Sequence, residues 1–357
     1  MYVWGVFLSV TFWMGKVFLT RLVRFSVLGI VILITYFLGA RAQAITVTGA
    51  GSGFAAPIYE AWSAASEKKT GVAVNYQNVG SSAGENQVLV GTVDFGASDI
   101  PMKTEQLELN KMFQFPTVMG GVVPVVNLAG IKADELVLSG DIIADIYMGT
   151  ITMWDDARIK ALNPHIVLPH QEIAPIYRAD GSGTTFVFTS YLAESSARWK
   201  QKQGVGASVG WPCGMGARGN DGVAAAIQNV DGAIGYIEYA YARHNHLTTI
   251  QLRNRFGINV VASLKSFSDA VKYADWKAAT HFVIDVLKTS GKNAWPIVSA
   301  TYVLVPLPMR DRQRDIAVQK FFEWGFKNGD RIVSNLDYVA LPKTLKKNII
   351  ESWKRGE

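Results

Sequence analysis

Three times in this 357-residue chain an apolar, strand-like run leads into a short turn of glycine, serine and threonine and then into a helix-like stretch. The turns are Gly49-Ala50-Gly51-Ser52-Gly53-Phe54, Gly80-Ser81-Ser82 and Asp180-Gly181-Ser182-Gly183-Thr184. No other feature narrows the fold as much. Around the first two, the spacing predicts a strand over 45–48 and a helix over 55–68 with Ile58, Trp62 and Ala65 on one face, closed by Gly71. A strand over 72–79, a helix to about 90 and a strand over 93–97 that ends at Ser98-Asp99 follow. A β-α-β-α-β order implies a parallel sheet with ligand loops at the C-terminal ends of its strands.

The rest of the chain alternates in the same way. Strands are expected over 122–126, 174–177, 233–237 and 300–305, and helices over 139–148, 154–162, to about 193 after the third turn, and over 222–230, 276–287, 315–327 and 341–354. The length is large for a single core, so two lobes are expected. Residues 45–126 with 302–357 would form one and 127–301 the other. There is no Pro/Ser linker, and lobes joined by strands suit hinge closure about a ligand.

Residues 1–44 read as a targeting segment. Lys16, Arg21 and Arg24 precede an apolar run over 25–38, and Ala42-Gln43-Ala44 is a small-x-small cleavage pattern. Cleavage is expected after Ala44, with translation starting at Met1 or Met14. The run is short for a membrane span of roughly 20 residues. The segment bears on charge as well. The chain carries 35 Lys and Arg against 29 Asp and Glu, but the first 44 residues hold four of the basic residues and no acidic one. The remainder is left at +2, which provides no field for nucleic acid. Export also argues against ATP or nicotinamide cofactors, so no cofactor is expected. The single cysteine, Cys213, reads as a packing residue, and no Cys/His spacing suggests a metal site.

Each of the three turns should leave backbone N–H groups without intrahelical partners at a positively polarised helix start, which is an anion site. Ser81 and Ser182 have two readings, as hydroxyl donors to that anion or as helix caps. Arg178 adds a planar, bidentate donor suited to a tetrahedral oxyanion. Asp99 is at odds with an anion site unless the ligand carries a proton. Phosphate near neutral pH keeps a P–OH group and sulfate does not, so a carboxylate would accept from one and repel the other. The other reading of Asp99 is a cap for the turn at Ile100-Pro101, and Asp180 either orients Arg178 or caps the next helix.

At these turns the chain resembles the bacterial periplasmic phosphate-binding proteins of the high-affinity phosphate ABC transporter. The segments that carry the resemblance are TGAGSGFAAPIYEAW, VNYQNVGSSAGENQ, VDFGASDIP, FQFPTVMGGVVPVVN, YRADGSGTTFVFTSYL, GNDGVAAAIQ, GAIGYIEYAYA and AWPIVSATY. The resemblance implies a two-lobed α/β binding protein of the type II kind, with two parallel or mixed sheets flanked by helices and phosphate held in the interlobe cleft. It would be a periplasmic monomer that serves an inner-membrane permease with its ATPase. The ligand contacts implied are the backbone at Gly53 and Phe54, then Ser81, Asp99 as acceptor of the phosphate proton, Arg178, Ser182, Gly183 and Thr184, with Asp180 holding Arg178. One departure stands out: the family usually has Thr where this chain has Gly53, so a hydroxyl is lost and Ser52 becomes the candidate substitute donor. A lost hydrogen bond to a charged ligand would cost about 1.5–3 kcal/mol.

Other readings fit less well. Sulfate or molybdate would gain nothing from Asp99. A dinucleotide enzyme would need a glycine where Phe54 stands in the G-x-G-x-x-G pattern. A hydrolase built on Ser182 lacks the G-x-S-x-G elbow and a histidine in any of the turns.

Overall fold

Sixteen consecutive residues, Met112–Asn127, form one strand, and all but the last are buried. The sequence predicts only its second part, 122–126. Phe113-Gln114-Phe115 extends it backwards because Gln114 is itself buried and accepts from the Met102 N–H at 2.7 Å. In this computed structural model, which describes residues 44–274, 280–284, 287, 290–308 and 311–355, that strand is the spine of the molecule. In chain order the strands are β1 (Ile45–Gly51), β2 (Val72–Asn78), β3 (Phe95–Ser98), β4 (Met112–Asn127), β5 (Val137–Ser139), β6 (Ala174–Arg178), β7 (Met215–Ala217), β8 (Ala233–Glu238), β9 (Thr248–Thr249), β10 (Gln251–Arg253), β11 (Asn259–Val260), β12 (Val298–Pro306) and β13 (Val339–Ala340).

The main sheet runs β2-β1-β3-β12-β4-β8-β6-β7, with β13 and β9 also on β4. β1 pairs in parallel with β2 and β3, and β6 in parallel with β8 and β7. β4 is antiparallel to both of its main neighbours. Residues Met112 to Gly121 face β12, and Val122 to Asn127 face β8. The pairing therefore changes hands at Gly121/Val122, and β12 returns to the first half at Val298. The two expected sheets are joined through this one strand. The sequence expectation puts the lobe boundaries at 126/127 and 301/302.

Local sequence explains the elements that frame the site. The helix Ala56–Thr70 starts with Pro57 in its first turn, ends with Lys68 and Lys69, and is closed by Gly71 in the left-handed conformation, whose N–H donates to Glu67 O. Its buried face carries Tyr59 and Trp62 into an aromatic cluster with Phe95, Phe115 and Phe322. The Phe322 ring stands edge-on to Phe95 and Phe115 at centroid distances of 5.1 and 5.4 Å, each pair adding about 0.5–1.5 kcal/mol beyond burial. Gly51, at the end of β1, has φ of 142°, and a Cβ there would lie 1.9 Å from Ala97 O, so the chain can turn out of the sheet only with glycine.

The expected helix over 276–287 lies partly outside the described residues. Thr280–Phe282 within it is a single 3₁₀ turn, with His281 and Phe282 at positive φ, so no α-helix runs through this stretch. Residues 1–43 of the targeting segment expected over 1–44 are also outside the described residues. Among the described residues no helix is long and apolar enough to cross a membrane.

Candidate functional site

The three turns converge where β1, β3, β6 and β12 end or bend. Asp99, one residue past β3, is 4% exposed. Its carboxylate accepts from Ser52 Oγ at 2.7 Å to both oxygens and from Thr301 Oγ1 at 2.6 Å to Oδ1. Its own N–H donates to Ser81 Oγ at 3.2 Å. The turn at Ile100 is capped by another residue: Ile100 N–H donates to Ser98 Oγ at 3.0 Å. The Asp99 carboxylate makes no ion pair among the described residues, and Gly183 packs directly against it. A Cβ on Gly183 would lie 2.5 Å from Asp99 Cβ and from Ser81 Oγ.

Thr301 reaches Asp99 because β12 is irregular there. The register with β4 slips between Thr301 and Tyr302, so Thr117 of β4 is an extra residue, and its hydroxyl donates to Thr301 O at 3.2 Å. A bulge of this kind re-aims a side chain, and Pro116, which has no N–H to donate, is tolerated beside it because the ladder is already interrupted there.

The second group is centred on Arg178, at the end of β6 and 4% exposed. Its Nε and Nη2 donate to the two oxygens of Asp180 at 2.8 and 2.5 Å, a bidentate fork, and Asp180 also accepts from Gly219 N–H at 3.0 Å. Nη1 donates to Asn220 Oδ1 at 3.2 Å and approaches Thr184 Oγ1 at 3.5 Å. Thr184 and Asn220 in turn both donate to Glu238, which ends β8 and is 1% exposed. Ser182 caps the helix Gly183–Ser195 by accepting from Thr185 N–H at 3.1 Å. Its hydroxyl hydrogen is left to donate, as is that of Ser81. The first N–H groups of that helix, on Gly183 and Thr184, have no intrahelical carbonyl.

Two expected ligand donors are engaged within the protein. The Ser52 hydroxyl, which the loss at Gly53 suggests as a substitute donor to the ligand, here donates to Asp99 and props the carboxylate. Phe54 N–H donates to Ser52 Oγ at 3.0 Å. Gly53 is pinned through its carbonyl, which accepts from Tyr241 OH at 3.3 Å. The sequence reading missed Thr301, Glu238 and Asn220. All three lie inside segments that carried the resemblance, but none sits in a glycine turn. Cys213 lies apart, donating weakly to Ile146 O and Tyr147 O.

Burial pushes the Asp99 carboxyl up to about 6; hydrogen bonds from Thr301 and Ser52 and the nearby Arg178 charge hold it from rising further. Burial and the Asp99 charge push Glu238 up to about 7 against the donors Thr184 and Asn220 and the Arg178 charge. Burial works against the Arg178 charge too, but Asp180 outweighs it and raises the guanidinium further; Asp180 is lowered in return by Arg178. The sign for stability follows. Asp99 and Glu238 hold a proton more tightly folded than unfolded, so that contribution is full below their ordinary values of 3.8 and 4.5 and is lost as pH rises through 6 and 7. The ligand-free protein is therefore expected to unfold at a lower temperature at about pH 8 than at about pH 5, which thermal scans in the two buffers would show. Asp180 acts in the opposite sense only at lower pH.

Among the described residues no group of three or more His, Cys, Asp or Glu side chains is placed to hold a metal. The cluster offers hydroxyl and N–H donors, one guanidinium fixed by Asp180 and, against the start of the Gly183 helix, the Asp99 carboxylate as acceptor. That set matches a tetrahedral oxyanion that keeps a proton.

Residues 39–328 match the family model of the PBP superfamily domain. The phosphate-binding protein PstS of Pasteurella multocida is 44% identical over 312 residues, covering 87% of this chain and 91% of its own. That of Haemophilus influenzae is 44% identical over 313 residues, covering 88% and 94%. A solved structure of a high-affinity periplasmic phosphate-binding protein bound with phosphate superposes with a TM-score of 0.69 at 19% identity, covering 86% of this chain and 94% of that one, a likeness of fold. By the family model and by these relatives, the chain belongs to the PstS family of phosphate-binding proteins, within the PBP superfamily.

Proposed function

We propose that this protein binds inorganic phosphate between the two halves of the sheet and delivers it, as an exported periplasmic monomer cleaved after Ala44, to an inner-membrane ABC permease and its ATPase. The phosphate would be held by the N–H groups of Gly183 and Thr184, the hydroxyls of Ser81 and Ser182, and Arg178. Asp99 would accept the P–OH hydrogen. One observation carries this reading: the buried Asp99 carboxylate is fixed by Ser52 and Thr301, is unpaired with any cation among the described residues, and faces the anion-ready start of the Gly183 helix. Its Oδ2 accepts only the shared Ser52 hydroxyl, which leaves capacity for the ligand proton. Sulfate and molybdate would place a fully ionised oxygen there and are not favoured. The protein performs no chemistry on the ligand in this reading, and none of its five histidines belongs to the cluster.

Calorimetry on the purified, ligand-stripped protein tests it. Phosphate is expected to bind tightly and sulfate to give no heat. In Asp99→Asn, phosphate is expected to weaken and sulfate to bind comparably, because an amide no longer repels a bare oxyanion. Sulfate binding as strong as phosphate in the unaltered protein would overturn the ligand assignment.

A further inference from the structure

Glu238 has no place in the donor set just described, yet it is among the most buried charged groups of the cluster. Its two oxygens take one donor each, Thr184 Oγ1 at 2.6 Å and Asn220 Nδ2. With its amide nitrogen held there, Asn220 turns Oδ1 to Arg178. One carboxylate thus fixes two of the groups that flank the guanidinium. Arg178 already carries the bidentate Asp180, so among the described residues Glu238 has no cation of its own. The charged or titratable groups that face it are Asp99 past β3, Arg178 on β6, Tyr241 on the helix Tyr239–His244 and Tyr338 ahead of β13. Both tyrosines are held neutral, first by burial. With one guanidinium against Asp99, Asp180 and Glu238, an arriving anion meets a surplus of negative charge at low dielectric.

We propose that Glu238 is a proton-coupled positioning residue, which takes a proton from solvent as phosphate binds and thereby turns the Thr184 hydroxyl towards the ligand. As the structure stands, the Thr184 hydrogen points at Glu238 and its oxygen can offer the anion only lone pairs. Once Glu238 is protonated, its Oε1–H donates to Thr184 Oγ1, and the Thr184 hydrogen is released to donate to the oxyanion. The balance is one proton gained from the buffer per phosphate bound. A carboxyl already pushed up to about 7 by burial and by Asp99 needs only the added anion to stay protonated at higher pH. The inference rests on the phosphate reading of the site.

The test is proton counting. Phosphate is titrated into the full protein at about pH 8.5, where the free ligand is essentially all dianion, in buffers of differing ionisation enthalpy, and the affinity is followed upward in pH. The unaltered protein is expected to take up close to one proton, and its affinity to fall about tenfold per pH unit. Glu238→Gln carries a fixed donor where the protonated acid would be. It is expected to bind with uptake near zero and with a flat pH profile. Zero uptake in the unaltered protein overturns the proposal. So does uptake that persists in Glu238→Gln, because the proton then sits on the ligand or on Asp99. If Glu238→Gln does not fold, Glu238→Met takes its place: with no carboxyl to protonate, uptake should fall towards zero, and uptake retained there overturns the proposal. An unaltered protein that gives no phosphate heat at any pH would instead sink the ligand assignment on which this rests.

Discussion

Arg178→Met is expected to weaken phosphate binding by roughly a hundredfold or more and to lower the unfolding free energy by about 3–5 kcal/mol. The two effects have one cause. The guanidinium is the single cation in a buried set that holds Asp180, Glu238 and Asp99, and Asp180 occupies two of its N–H edges. Among the described residues, removing it strands those carboxylates with no counter-charge and also deletes the only cationic donor available to an oxyanion there. Arg178→Lys separates the contributions. Lysine keeps the charge but cannot grip Asp180 with a planar fork while reaching Asn220, so most of the binding loss should remain while part of the stability returns. Calorimetry with phosphate and thermal unfolding of both variants provide the check. A Met variant within threefold of the unaltered affinity would place the ligand away from Arg178.

Gly183→Ala is the second large effect, and its character differs. Position 183 is the first residue of a helix, where alanine is welcome, so the half that contains it should fold as before. The added methyl would lie 2.5 Å from Asp99 Cβ and from Ser81 Oγ, which belong to the other half. Real Cβ atoms do not come that close, and neither neighbour is the loose end of a long side chain. The halves must stand further apart, and donors on one side lose reach to a ligand held by the other. A loss of at least tenfold in phosphate affinity is expected, with a melting temperature for the ligand-free protein that changes little, because alanine suits the start of a helix. An affinity equal to that of the unaltered protein would mean that Asp99 and Gly183 do not approach each other in the bound state.

Much of this was legible in the residues. The glycine turns announced strand-to-helix junctions because glycine at Gly51 is forced by backbone proximity and the caps at Ser182 and Gly71 are local devices. Asp99 was noticed because a carboxylate among anion donors is a conflict visible in the sequence itself. What escaped was long-range. Thr301 lies 202 residues from Asp99 and reaches it only through the slipped register of β12 on β4. Glu238 reads as a strand end beside two tyrosines, and nothing local says that it closes a ring with Thr184 and Asn220. The competition between Ser98 and Asp99 for the Ile100 N–H was decided by side-chain geometry that adjacent positions cannot reveal. The length of β4 was missed because its first part, with Gln114 and Pro116, does not look like buried strand until its partners are known.

The placement of β12 has a consequence for how the molecule is made. β12 lies between β3 and β4, at the centre of the first half, although its residues emerge late in synthesis. β6, β7 and β8 pair only with each other and with the end of β4, all of which precede β12 in the chain. The middle of the chain can thus complete its sheet while the first part still holds an unfilled slot between two finished strands. Seating β12 in that gap joins residues far apart in the chain, so its loop-closure entropy makes a late step in folding the expected one.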